Sequence, residues 1–127
     1  MDLIVVMDGS FSMAGSGNFY PLRSFVANLT EMLTLGPSDV RVGYLEFAGP
    51  STVLTDPYFN QTIGPSLNVT DPIAVLHENL TESILNLTAL GGSTNSPGAL
   101  DFVREDMFTS SNFRPGSKRA VIFATDG

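Results

Sequence analysis

LIVVMDGSFS, residues 3–12, is the stretch whose reading decides the fold. Leu3 to Met7 is an unbroken apolar, largely branched run that stops at Asp8, and a Gly/Ser-rich stretch follows from Gly9 to Gly17. An apolar run without alternation marks a strand buried on both faces, the kind found in parallel sheets covered by helices. Near the other end, Arg119 to Thr125 (RAVIFAT) repeats the arrangement as a second buried strand, running into Asp126-Gly127. In open α/β sheets ligands bind beyond the carboxyl ends of the strands, at the point where strand order reverses. Two buried strands ending in carboxylates therefore direct attention to that edge.

The segments between these strands fill out an α/β order. Phe19, Leu22, Val26, Leu29 and Leu33 repeat at three and four, which predicts a helix over 19–35 that Gly36-Pro37 stops. Val40 to Phe47 alternates, with Val40, Val42, Tyr44 and Glu46 on one face, and reads as a strand. Val53-Leu54 reads as a short edge strand after the Gly49-Pro50 turn, and Thr55 to Asp71 as a long surface loop. Leu80, Ile84 and Leu87 predict a helix within 72–90. Gly91 to Asn95 is a loop, Ser96-Pro97 supplies an N-cap and first helical position, and Leu100, Val103 and Met107 form the stripe of a third helix. The expected class is α/β: a doubly wound, mostly parallel sheet with one antiparallel edge strand and helices on both faces.

Composition narrows the function. The chain has 127 residues, one domain's worth, with 43% apolar content and a net charge of −7. Six basic residues, of which only Lys118 and Arg119 are adjacent, do not make a phosphate-binding surface, so no nucleic-acid partner is expected. No apolar run approaches the ~18 residues of a membrane span, and the amino terminus lacks the basic and apolar regions of a signal peptide. Cysteine is absent, which removes disulfides and thiolate ligands. Five Asn-X-Thr sequons, at Asn28, Asn60, Asn68, Asn79 and Asn86, exceed the one or two that chance would give about eight asparagines. They point to N-glycosylation and hence to an extracellular or cell-surface location, with Asn28, Asn79 and Asn86 expected on exposed helix faces.

The candidate site is made of hard oxygen donors. Asp8 and Asp126 end the buried strands, Ser10 and Ser12 follow the first of them, and Thr94 lies in a glycine-rich loop ahead of a helix that can bring it to the same edge. With no imidazole and no sulfur, this set selects Mg²⁺ or Mn²⁺, with Ca²⁺ a poorer choice. Three hydroxyls and two carboxylates supply at most two negative charges, and with either carboxylate acting through a water the divalent cation is under-neutralised and keeps an open or water-filled coordination position. A carboxylate from a partner is its natural completion.

DGSFSM, the Thr94 loop GGSTN and the terminal ATDG together resemble the metal-ion-dependent adhesion site of a von Willebrand factor type A domain. That pattern is Asp-X-Ser-X-Ser, a distant Thr and a distant Asp-Gly, and Asp8, Ser10, Ser12, Thr94 and Asp126 match it in order. NFYPLRSFVANL, VRVGYLEFAG and GGSTNSPGALDFVREDMF extend the likeness across nearly the whole chain, apart from residues 55–75. The resemblance implies a Rossmann-like fold and a magnesium or manganese ion completed by an Asp or Glu of a matrix or cell-surface protein. It implies adhesion rather than catalysis, closest to the collagen-type and integrin-type modules. It also implies further strands and helices after the Asp-Gly, so residues 1–127 are expected to be a partial domain.

Two other functions fit parts of the pattern. One is an intracellular assembly module of the same fold, separable by the absence of glycans. The other is a magnesium-dependent phosphatase with Asp8 as nucleophile and Lys118 as charge stabiliser. That chemistry wants a second Asp two residues after the first, where this chain has Ser10.

Overall fold

A computed structural model describes residues 1–36, 38–49, 60–63, 73–108 and 114–126, side chains of 60–63, 73–78 and 106 excepted. In it the amino-terminal apolar run becomes β1, Asp2–Asp8, buried along its whole length. The helices α1 (Phe11–Ser16) and α2 (Phe19–Glu31) lead to β2, Arg41–Ala48. Next come β3 (Asn60–Ile63), α3 (Ile73–Leu85) and α4 (Ser96–Phe102), which runs on as a π-helical turn over Val103–Met107, and finally β4 (Arg119–Ala124). The sheet order is β3-β2-β1-β4. Both neighbours of β1 are parallel to it, with Asp2 opposite Arg41 on one side and opposite Arg119 on the other. β3 is antiparallel to β2.

The absence of alternation in β1 follows from its place between two strands and two helical layers. Leu3, Val5 and Met7 join Val42 and Tyr44 under Phe19, Val26 and Ala27 of α2 and Leu80 and Ile84 of α3. Ile4 and Val6 face the other way, with Leu45 and Phe47, against Ala99 and Val103. Each such side chain contributes about 1.5–3 kcal/mol on leaving water, so both faces hold the sheet. The fold is the expected one, a mostly parallel sheet with one antiparallel edge strand and helices on both faces. Leu80, Ile84 and Leu87 are buried as their spacing predicts.

Several local expectations give way. The Gly9–Gly17 stretch is not all loop, because residues from Phe11 onward close into α1, which ends at Gly17 in a left-handed conformation (φ 76°). α2 stops at Glu31, short of residue 35, because Leu35 is drawn into a parallel bridge with Val40 and buried there. The edge strand is Asn60–Ile63, so the stretch read as a loop over 55–71 contains a strand. Val53 and Leu54 lie outside the described residues. The cap of α4 is Asn95, one residue before the expected Ser96; its Oδ1 accepts from the Gly98 N–H at 3.1 Å. Leu100 is not part of the buried stripe but 45% exposed, because the small Ala99 and Val103 one turn on face the sheet. β4 is only half-buried, with Val121 40% exposed.

At the amino edge of the sheet, Asp2 ties three segments together. Its carboxylate accepts from Arg41 Nε (3.0 Å) and Nη2 (2.8 Å) and from Arg114 Nε (2.9 Å) and Nη2 (2.6 Å). Burial on its own would raise the pKa of this carboxyl, but the two guanidinium groups outweigh it and hold it well below the usual carboxylate range. The opposite edge, at the carboxyl ends of β1, β2 and β4, is where the polar loops gather.

Candidate metal centre

β1 and β4 are adjacent, and the chain leaves β1 toward β2 on one side and returns at β4 on the other. The reversal point therefore falls between the ends of β1 and β4, next to Asp8 and Asp126. Asp8 is fully buried, and both its oxygens are engaged. Oδ1 accepts from the Ser10 N–H at 2.9 Å, and Oδ2 accepts from the Thr125 hydroxyl at 2.7 Å. From Ser10 a short chain of oxygens runs outward. Ser10 Oγ lies 3.0 Å from Ser12 Oγ, and Ser12 Oγ donates to Asp126 Oδ1 at 2.9 Å. Ser10 is buried and Asp126 exposed, so the chain leads from the interior to solvent.

These hydroxyl and carboxylate oxygens lie close enough together to be shared by one hard divalent cation. Among the described residues no group of three or more His, Cys, Asp or Glu side chains gathers, so the donors here are hydroxyl oxygens with few carboxylates.

Neighbouring loops hold this edge in place. The Gly91 N–H donates to Gly9 O (2.8 Å), the Phe11 N–H to Gly92 O (2.9 Å), and the Gly9 N–H to Phe47 O (2.8 Å). Gly91 adopts φ 75°, and a Cβ there would sit 3.0 Å from the Phe11 ring. A Cβ at Gly9 would collide with Glu46 Oε1. Glu46 is itself buried; its Oε1 accepts from the Leu90 N–H at 3.1 Å, and its Oε2 has no partner among the described residues. Burial, only partly offset by that N–H, pushes its carboxyl up to about 7.

The structure brings Asp8, Ser10, Ser12 and Asp126 into one hydrogen-bonded set. Thr94 follows in the loop pinned to Gly9 and Phe11 and makes no hydrogen bond to the other four among the described residues. Sequence reading overlooked Thr125, whose hydroxyl fixes Asp8, and Glu46, the buried acid between two site loops. Asn28, Asn79 and Asn86 are exposed, as expected. Asn60 lies in β3 rather than in a loop, and Asn68 falls outside the described residues. The phosphatase reading loses its charge stabiliser. Lys118 sits at the amino edge, where its carbonyl accepts from the Asp2 N–H, roughly 20 Å of strand from Asp8. Asp8, buried with both oxygens occupied, is also not placed to attack a substrate. No helix of the described residues is long and apolar enough to cross a membrane.

A family model, the von Willebrand factor type A domain, matches residues 2–127. Over 99% of its length the chain is 27% identical to the collagen alpha-1(XII) chain of Notophthalmus viridescens, spanning 12% of that protein. It is 29% identical to the collagen alpha-1(XXI) chain of Xenopus laevis and 26% identical to vitrin of Homo sapiens, spanning 11% and 16% of their lengths. Among solved structures, proximal thread matrix protein 1 of the mussel byssus superimposes with a TM-score of 0.71 at 23% identity, over 99% of this chain and 30% of that one. The same mussel protein has been solved with a zinc-occupied MIDAS motif. The pilus adhesin SpaC of Lactobacillus rhamnosus GG in its open conformation superimposes with a TM-score of 0.65 at 22% identity, covering this chain fully and 14% of its own.

Proposed function

The chain belongs to the von Willebrand factor type A family, and from that premise we propose that its carboxyl sheet edge is a cation-dependent docking site for an acidic side chain of a protein partner. Ser10, Ser12 and Thr94 would supply hydroxyl oxygens to the ion, and Asp8 and Asp126 carboxylates, directly or through water, with Asp8 also orienting the Ser10 backbone. The ion is Mg²⁺ or Mn²⁺, the hard divalent cations that a hydroxyl and carboxylate donor set without imidazole or sulfur selects. The zinc-occupied motif of the mussel protein supports a divalent cation at this place in the fold. With few anionic donors the ion keeps net positive charge, and an Asp or Glu of the partner completes its shell. The module binds and does not catalyse. Its place is the extracellular matrix or cell surface, a reading supported by the exposed sequons and by relatives that are collagens and vitrin.

The observation that carries the proposal is the oxygen chain from Ser10 through Ser12 to Asp126 at the point where strand order reverses. Calorimetry with Mg²⁺ and Mn²⁺ tests the ion, and capture on immobilised matrix proteins tests the docking. Both are expected in wild type and lost in Asp126→Ala, with the circular dichroism spectrum unchanged. Capture that persists in EDTA would sink the metal-dependent reading.

A further inference from the structure

The outer face of α2 carries a feature that the cation edge does not explain. Phe25 is 58% exposed, and Met32, which caps the carboxyl end of α2 in a right-handed helical conformation, is 82% exposed, both on the side away from the buried Val26, Ala27 and Thr30. At 100° per residue, Phe25, Asn28 and Met32 fall within a 60° arc, since they are spaced i, i+3 and i+7. Asn28 is the acceptor of the sequon Asn28-Leu29-Thr30 and is exposed. Helical side chains lean toward the amino terminus. A group on Asn28 is therefore directed over the turn that carries Phe25, and Met32 leans back toward Asn28 from about 6 Å further along the axis. The other exposed large apolar residues among those described, such as Phe11, Leu85 and Leu100, do not share a helix stripe with a sequon.

We propose that an N-linked glycan on Asn28 lies along this stripe, its first N-acetylglucosamine packed over the Phe25 ring and against Met32, so that the outer face of α2 is covered by carbohydrate rather than by a protein partner. The occupant follows from the position of the sequon, midway between the two apolar side chains. A pyranose suits both, because its C–H face packs on an aromatic ring and a thioether while its hydroxyls stay in water. Attachment forms a bond from Asn28 Nδ2 to C1 of an oligosaccharide as the C1–O bond to a polyprenyl diphosphate donor breaks and one amide proton is lost. The Thr30 hydroxyl is buried and donates to Ala27 O at 2.7 Å. The sequon must therefore be modified before α2 closes, during synthesis.

This inference rests on the glycoprotein reading above, and its test separates the two. The chain is secreted from eukaryotic cells as wild type, Asn28→Gln, Phe25→Ser/Met32→Ser, and the triple variant. Glycopeptide mass spectrometry reads occupancy, and anilinonaphthalene sulfonate fluorescence and melting read the stripe. The expected result is an occupied Asn28, with Asn28→Gln raising dye fluorescence and lowering the melting temperature by about 3 °C in wild type, and neither effect in the Phe25→Ser/Met32→Ser background. Glycans at Asn79 or Asn86 with none at Asn28 overturn this inference and leave the glycoprotein reading standing. No N-glycan anywhere overturns both. Equal effects of Asn28→Gln in the two backgrounds, or no effect in either, also overturn it, since the sugar then does not cover these side chains.

Discussion

Glu46 shows how a single acid can be set by what surrounds it. Its carboxyl is buried between the Gly9 turn and Leu90 and is raised to about 7 from an ordinary value of 4.5. The folded state thus holds this proton more tightly than the unfolded state. The resulting stability is fully present below pH 4.5 and is lost as pH rises through about 7. At 1.4 kcal/mol per pH unit the swing is on the order of 3 kcal/mol. Urea midpoints in EDTA should fall between pH 5 and 8 in wild type and stay flatter in Glu46→Gln; an identical slope in both would remove Glu46 as the cause. This role was hidden in the sequence, where Glu46 is one more residue on an alternating strand face. It exists only because parallel pairing sets Glu46 opposite Met7, two residues before Gly9. Asp8, Ser10, Ser12 and Asp126 were legible because strand ends mark their own position. Thr125 was not, since a hydroxyl at the end of an apolar run gives no sign of which neighbouring strand it reaches.

At the scale of elements, long apolar runs were readable and short or irregular segments were not. LIVVM has few ways to bury itself and RAVIFA pairs beside it, though only half-buried, whereas NQTI (residues 60–63) has one large apolar residue and becomes a strand through its pairing with β2. In α4 the spacing of Leu100, Val103 and Met107 competes with that of Ala99 and Val103. The π-helical turn after Phe102 adds a residue to the local repeat, which a regular 3.6 period does not anticipate. The placement of these side chains gives a comparison within one helix. Val103→Ala, under the Ile4 and Leu45 face, should cost about 2 kcal/mol in urea unfolding. Leu100→Ala should stay within about 0.5 kcal/mol. Comparable losses at both positions would mean that Leu100 packs against the sheet after all.

For the whole molecule, the proposed cation site would link ion binding to folding through the edge where β1, α1 and β4 meet. Free Mg²⁺ at about 100 times its dissociation constant should stabilise the chain by about 2.7 kcal/mol, raising the melting temperature by about 10 °C. A scan with and without EDTA measures this, and Asp126→Ala should abolish the shift; a shift retained in that variant would place the ion elsewhere. The two ends of β1 are held differently, by the Asp2–Arg41–Arg114 cluster at one and by the polar loops at the other. A partner tugging on the carboxyl edge would pull along β1, between two strands parallel to it. Such a load shears both ladders at once instead of peeling them apart bond by bond, so resistance to traction comes from the same central strand whose end presents the site.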